Sequence, residues 1–252
     1  MNVMNKDVVV TRPYKVVYRE GDQIIKVFTP EHGKANVFNE ALCQARVEES
    51  GLDIPAVLEV SQIDGEWALA IEYVEGKTLE QIMQEDPVNM EKYMEQFVDL
   101  QLTMHAKKAP RLTLQKDKFA RKIETLKETV DATTRYELQT RLDSMPKHTK
   151  LCHGDFNPSN VIVAEDGTMT IVDWSHATQG NASGDAAITY LQFALKNQKL
   201  ADLYLDLFCK KSDTAKQYVQ KWLPIAAAVQ LTKGIEEEKA FLSRWIDVID
   251  FQ

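Results

Sequence analysis

The chain opens with short runs of β-branched residues and then turns to apolar positions at helical spacing. Val8-Val9-Val10, Lys15-Val16-Val17-Tyr18 and Gln23-Ile24-Ile25-Lys26-Val27-Phe28 have the content of strands. Arg19-Glu20-Gly21-Asp22 separates the last two as a hairpin turn, and Thr29-Pro30-Glu31-His32-Gly33 ends the third run. Val37, Phe38, Ala41, Leu42, Ala45 and Val47 offer one apolar face, which predicts a helix over 36–50 stopped by Gly51. Two further strands are predicted over 56–61 and 67–73, joined by an Asp64-Gly65 turn.

From Thr78 onward the spacing is mostly helical. Met90, Tyr93, Met94, Phe97, Leu100 and Met104 mark one helix, and Phe119, Ile123, Leu126 and Val130 another. A hairpin interrupts them at Val161-Ile162-Val163 and Met169-Thr170-Ile171-Val172, with Asp166-Gly167 as its turn. Helices are expected again from Asp185. The fold class is therefore α+β and bilobal: residues 1–74 as a β-rich N-lobe with one helix, residues 75–252 as a helical C-lobe, with a hinge at Glu75-Gly76. A cleft between lobes is where small ligands bind.

Composition narrows the function. Of 252 residues, 44% are hydrophobic and 27% charged, as in a water-soluble globular chain. No apolar run reaches the ~18 residues of a membrane span, and Met1 to Tyr14 lacks the apolar core of a secretory signal. A net charge of -8 argues against a nucleic-acid partner. It serves solubility first and favours a cationic substrate second. Cys43, Cys152 and Cys209 are widely spaced with no C-x-x-C pair, so a reducing cytoplasm is expected, without a disulfide framework or zinc site. Cys152 reads as a small buried hydrophobe. Nothing in the sequence points to an oligomeric state.

The chemistry lies in His153-Gly154-Asp155-Phe156-Asn157-Pro158-Ser159-Asn160 and Ile171-Val172-Asp173-Trp174. Gly154 and Pro158 make the first stretch a loop, placed just before the hairpin. The hairpin brings Asn160 and Asp173 together at its mouth. Two hard oxygen ligands there suit Mg²⁺, which takes few protein groups and leaves room for phosphate and water. Asp155 remains free to face a substrate hydroxyl, as phosphoryl transfer requires.

These motifs resemble the signature of the aminoglycoside phosphotransferase/choline kinase family, the small-molecule branch of the protein-kinase-like fold. The resemblance spans nearly the whole chain. It implies Asp155 as catalytic base, Asn160 and Asp173 as Mg²⁺ ligands, and His153 as scaffold. It implies that Lys26 holds the α- and β-phosphates, paired with a helix glutamate: Glu40 first, with Glu48 and Glu49 behind it. In Glu72-Tyr73-Val74-Glu75-Gly76 it implies that the Glu72 carbonyl and Val74 amide meet the adenine edge. ATP is the implied nucleotide, with GTP as the alternative. A Gly-rich phosphate loop is absent from Thr11-Arg12-Pro13-Tyr14, which leaves Thr11 or Arg12 to cover the phosphates.

Asp185 reads as a helix N-cap, and the family adds a brace for the catalytic loop. His105 reads as structural. The expected acceptor is a small hydroxyl compound of aminoglycoside, amino alcohol or sugar type. Glu236, Glu237, Glu238, Asp247 and Asp250 are the candidates for a cation-binding wall, although a solvated helix face is the better explanation of them. Three rivals stand beside this reading. A pseudokinase would lose one of Lys26, Asp155, Asn160 or Asp173, and a protein kinase would need more than Trp174 to Gly184 as activation segment. A metal hydrolase would draw ligands from His153, Asp155 and His176.

Overall fold

The β-branched runs pair into one sheet because each gains a partner on at least one edge. The structure, a computed structural model, describes residues 7–246. Strands β1 (Asp7–Arg12), β2 (Lys15–Glu20) and β3 (Gln23–Phe28) form a meander. Helix α1 (Lys34–Glu48) follows, and then β4 (Val57–Ile63) and β5 (Glu66–Glu72). The sheet order is β1-β2-β3-β5-β4, antiparallel throughout. Helix α1 buries Val37 and Ala41 against Phe28, Leu69 and Ile71. The expected strands and helix all form, with ends displaced by at most two residues.

The chain leaves the sheet through β6 (Lys77–Thr78), helix α2 (Leu79–Glu85) and helix α3 (Met90–His105). Helices α4 (Gln115–Thr125) and α5 (Ala132–Ser144) precede the short strand β7 (Lys150–Cys152). Then come the catalytic loop and the hairpin of β8 (Val161–Val163) and β9 (Met169–Ile171), followed by β10 (Thr178–Gly180). Helices α6 (Ala182–Lys196), α7 (Gln198–Ser212), α8 (Lys216–Gln220), α9 (Leu223–Leu231) and α10 (Glu236–Ile246) complete the described chain. Leu126 and Val130, expected to continue the helix through Phe119 and Ile123, lie beyond the end of α4 yet are still buried.

Helix α9 is buried along its whole length, as an apolar-all-round helix must be. The catalytic loop hangs on this core through Phe156, whose ring stacks on Phe97 of α3 with centroids 4.3 Å apart. Two pairings were not legible in the sequence. Strand β7 pairs with β10, holding the loop's entry to the segment after Asp173. Strand β6 pairs with β8, so the interlobe linker runs directly onto the catalytic hairpin.

That last approach requires glycine. Gly76 has φ 142°, and a Cβ there would fall on the Val163 carbonyl. Gly76→Ala is expected to cost about 1–3 kcal/mol through forced backbone strain. A urea midpoint equal to that of the wild type would remove the packing argument.

Candidate active site

Lys26 sits in β3 opposite Val17 and Leu69, with its side chain on the α1 side of the sheet. It is only 5% exposed. Its Nζ donates to Glu40 Oε1 at 2.7 Å and to Asp173 Oδ1 at 3.1 Å. Burial disfavours the charged lysine, and Asp173 and Glu40 outweigh it, so its pKa rises above the ordinary value. The same contacts hold the Asp173 carboxyl far below the usual range despite its desolvation. Glu40 is thus the partner of Lys26. Glu48 instead accepts the Val57 amide at 2.9 Å, and Glu49 pairs with Arg111 at 2.8 Å.

Lys15 is a member that the sequence reading missed. Its Nζ lies 3.6 Å from Glu40 Oε1 and 3.9 Å from Asp173 Oδ2. The signal was available: Lys15 is two residues from Val17, which faces Lys26 across the ladder, so both lysines share one side of the sheet.

Asp185 organises the catalytic loop. It lies inside α6, fully buried, and accepts three donors: His105 Nε2 at 2.9 Å, the His153 amide at 3.1 Å and the Gly154 amide at 2.7 Å. Burial would raise its pKa, but these partners win and lower it. The cap role expected for Asp185 belongs to Asn181, whose side chain accepts the Ser183 amide at 2.9 Å. Gly154 has φ 79°, and a Cβ there would sit 2.7 Å from the His176 carbonyl oxygen. His153 is scaffold, as expected. Its Nδ1 accepts the Asp155 amide at 3.2 Å, so Nε2 carries the hydrogen donated to Val172 O at 3.0 Å. Both ring nitrogens are committed, which removes His153 from any metal-ligand set.

Asp155 projects from this loop, 22% exposed. Its Oδ1 accepts from Gln192 Nε2 at 2.5 Å and from Lys233 Nζ at 2.6 Å. Among the described residues, its Oδ2 has only the Asn160 amide at 3.3 Å. Asn160 Nδ2 also donates to Asp155 O at 2.9 Å, which turns the amide nitrogen toward the loop. The Val172 amide donates to Asn160 O at 2.9 Å, so Asn160 and Asp173 flank one end of the β8–β9 hairpin. Asp173 has φ 62°, a left-handed backbone that turns its carboxylate out of the strand. Gln192 and Lys233 carried no sequence signal, because they come from α6 and from the turn after α9.

A cationic group lies in the neighbourhood of Asp155 and His176. Lys118 and Lys122 stand four residues apart on α4, on one face. Lys118 Nζ donates to the His176 carbonyl at 3.0 Å. Burial, then Lys118 and Lys233, push Lys122 down to about 8. Burial, then Lys118 and Lys122, push His176 down to about 3. Of the proposed acidic wall, Glu236 and Glu237 are exposed and Glu238 is half-buried. Asp247 and Asp250 lie outside the described residues. Glu72 ends β5, its carboxylate accepting the Ala56 amide at 2.9 Å, and Val74 begins the linker. Thr11 and Arg12 are exposed in β1 and make no hydrogen bond to the site among the described residues.

The segment from Ala177 to Asn181 is buried, so it offers no platform for a protein substrate. Fold and site together define a small-molecule kinase of protein-kinase-like architecture. The chain belongs to the phosphotransferase enzyme family, whose profile matches residues 11–216. No curated protein sequence matches significantly. Among solved structures, it is similar to a thermostable mutant of aminoglycoside phosphotransferase APH(4)-Ia in ternary complex with AMP-PNP and hygromycin B. That match has a TM-score of 0.70 at 15% identity, covering 97% of this chain and 91% of the other. Choline kinase LicA from Streptococcus pneumoniae matches with TM-score 0.63 and 18% identity, covering 94% and 86%. An aminoglycoside-3'-phosphotransferase of type VIII matches with TM-score 0.62 and 17% identity, covering 98% and 94%.

Asp185→Ala strands three buried donors and is expected to cost about 3–5 kcal/mol in chemical denaturation, with Asp185→Asn costing less. A near-neutral Asp185→Ala would contradict the brace. Lys122 has its pKa lowered from 10.5 to about 8, so its charge burdens the folded state below pH 8 and the burden fades by 10.5. Lys122→Met should therefore raise the melting temperature at pH 7, with the gain shrinking as pH rises through that window. A gain constant across it would be the contrary result.

Proposed function

We propose that the protein is an ATP- and Mg²⁺-dependent kinase that moves the γ-phosphoryl group to a hydroxyl of a small molecule. The observation that carries this reading is the unequal use of the two Asp155 oxygens. Oδ1 is filled by Gln192 and Lys233, while Oδ2 is left nearly open. An acceptor hydroxyl at Oδ2 can be oriented and, as the oxygen bonds to the γ-phosphorus, can pass its proton to that carboxylate. The bond from the γ-phosphorus to the bridging oxygen breaks and ADP leaves. In a loose transition state this positioning matters more than early proton removal.

The donors fit a hard cation. Asn160 spends its amide nitrogen on Asp155, which leaves its Oδ1 available, and Asp173 is an ionised carboxylate turned out at the hairpin end. These two would hold Mg²⁺, which neutralises phosphate charge when bound. Lys26, braced by Glu40, would hold the α- and β-phosphates, and Lys15 lies close enough to assist. The Glu72 carbonyl and Val74 amide would meet the adenine edge, and GTP is the alternative donor. We place the lobe boundary between Val74 and Glu75. The three cysteines are free and buried, which suits a reducing cytoplasm. No described helix is long and apolar enough to cross a membrane.

Asp155→Asn is expected to lower acceptor-dependent ADP release by at least ~10²-fold, the usual scale of a lost general base. AMP-PNP affinity should stay near the wild-type value. Asp173→Ala should instead weaken Mg·AMP-PNP binding. Full turnover in Asp155→Asn would sink the mechanism.

A further inference from the structure

The acceptor side of Asp155 holds more positive charge than phosphate transfer to a neutral or cationic alcohol calls for. Lys118 and Lys122 project from one face of α4, and Lys233 reaches Asp155 from the turn after α9. Lys233 spends its charge on Asp155 at 2.6 Å, and Lys118 is held by the uncharged His176 carbonyl at 3.0 Å. Lys122 is half-buried, and its ammonium has no hydrogen bond or ion pair among the described residues. The charges that act on it are Lys118 and Lys233, both repulsive, and Asp155, which attracts it but is already paired to Lys233.

Local acids do not balance this group. Burial raises the Glu238 carboxyl, and the lysines that act on it are Lys233 and Lys196, not Lys122. Lys196, also nearby, is taken by Glu80 at 2.5 Å. One further group beside Asp155 is unsatisfied: Gln192 Oε1 is buried with no hydrogen-bond partner, although its Nε2 binds Asp155. A half-buried cation without an anion and a buried acceptor without a donor both lower stability unless a ligand completes them. A ligand with a negative group and one donor besides the reacting hydroxyl supplies both.

We infer that the phosphate acceptor is an anionic alcohol, a hydroxyl compound bearing a carboxylate or a phosphate, whose charge is met by Lys122 together with Lys118 and Lys233. The inference rests on the kinase reading above and gives its acceptor a chemical class. It replaces the cation-binding wall expected from Glu236, Glu237 and Glu238. Two of these face solvent, and the third lies among lysines. Lysine suits this task, because its ammonium is a point charge that meets carboxylate and phosphate alike.

The test uses the full chain loaded with Mg·AMP-PNP and two probes, inorganic phosphate and lactate, titrated calorimetrically. Tetramethylammonium serves as the cationic control. At least one anion should bind with unit stoichiometry, and the stronger of the two tells phosphate from carboxylate. Lys122→Ala should weaken that binding by about tenfold, the scale of one charge-assisted contact, with AMP-PNP affinity unchanged. Lys122→Met is the second variant should the alanine form fold poorly. Binding of tetramethylammonium but neither anion overturns the inference, as does anion binding indifferent to Lys122. A loss of AMP-PNP affinity equal to the loss of anion affinity would assign Lys122 to the nucleotide and also overturn it. Failure of the wild type to bind AMP-PNP would defeat the kinase reading itself, and this inference with it.

Discussion

Lys26 carries a positive charge into a place with almost no water. Desolvating an ammonium costs several kcal/mol, and the fold tolerates it only because two carboxylates arrive from different parts of the chain. Glu40 comes from α1 and Asp173 from the end of the catalytic hairpin. The pairing therefore fixes where α1 lies against the sheet and how the sheet meets the hairpin. Lys15 adds a second cation to the same carboxylates, so the cluster holds two lysines and two acids. The charge of this cluster is thus balanced within the chain itself.

A second buried charge holds the loop. Asp185 is wholly enclosed, and its oxygens accept a histidine and two backbone amides. With those contacts made, the His153 ring bridges the loop to Val172, and Asp155 is directed away from the core. The stacked pair of Phe97 and Phe156 anchors the same loop from below. Precision at Asp155 comes from this support, since the aspartate itself is partly exposed and would otherwise be mobile.

The net charge of the chain says little about the charge of its acceptor site. The protein is acidic overall, yet the surroundings of Asp155 gather Lys118, Lys122 and Lys233. Net charge governs long-range behaviour and solubility, whereas a partly buried site is ruled by its nearest groups. The acidic run at the start of α10 illustrates the difference. Its charges are real, but Glu236 and Glu237 spend them in solvent.

By itself, the sequence determined the element order, the lobes, the catalytic loop and the roles open to Lys26, Glu40, Asp155, Asn160 and Asp173. These follow from local pattern: strand alternation, helix spacing, a hairpin that joins its own ends, and a dense motif. Lys15 was within reach of the same logic, by its parity with Val17. Only the tertiary structure decided that Asn181 caps α6 while Asp185 turns inward to the loop. It alone brought Gln192 and Lys233 to one oxygen of Asp155 and set Lys122 unpaired beside them. Those contacts join residues 31 to 80 positions apart, across helices whose relative placement is settled by side-chain packing in the core. No local pattern encodes such a meeting, so the reaction class was legible along the chain and the charged surroundings of Asp155 emerged only once the helices had packed.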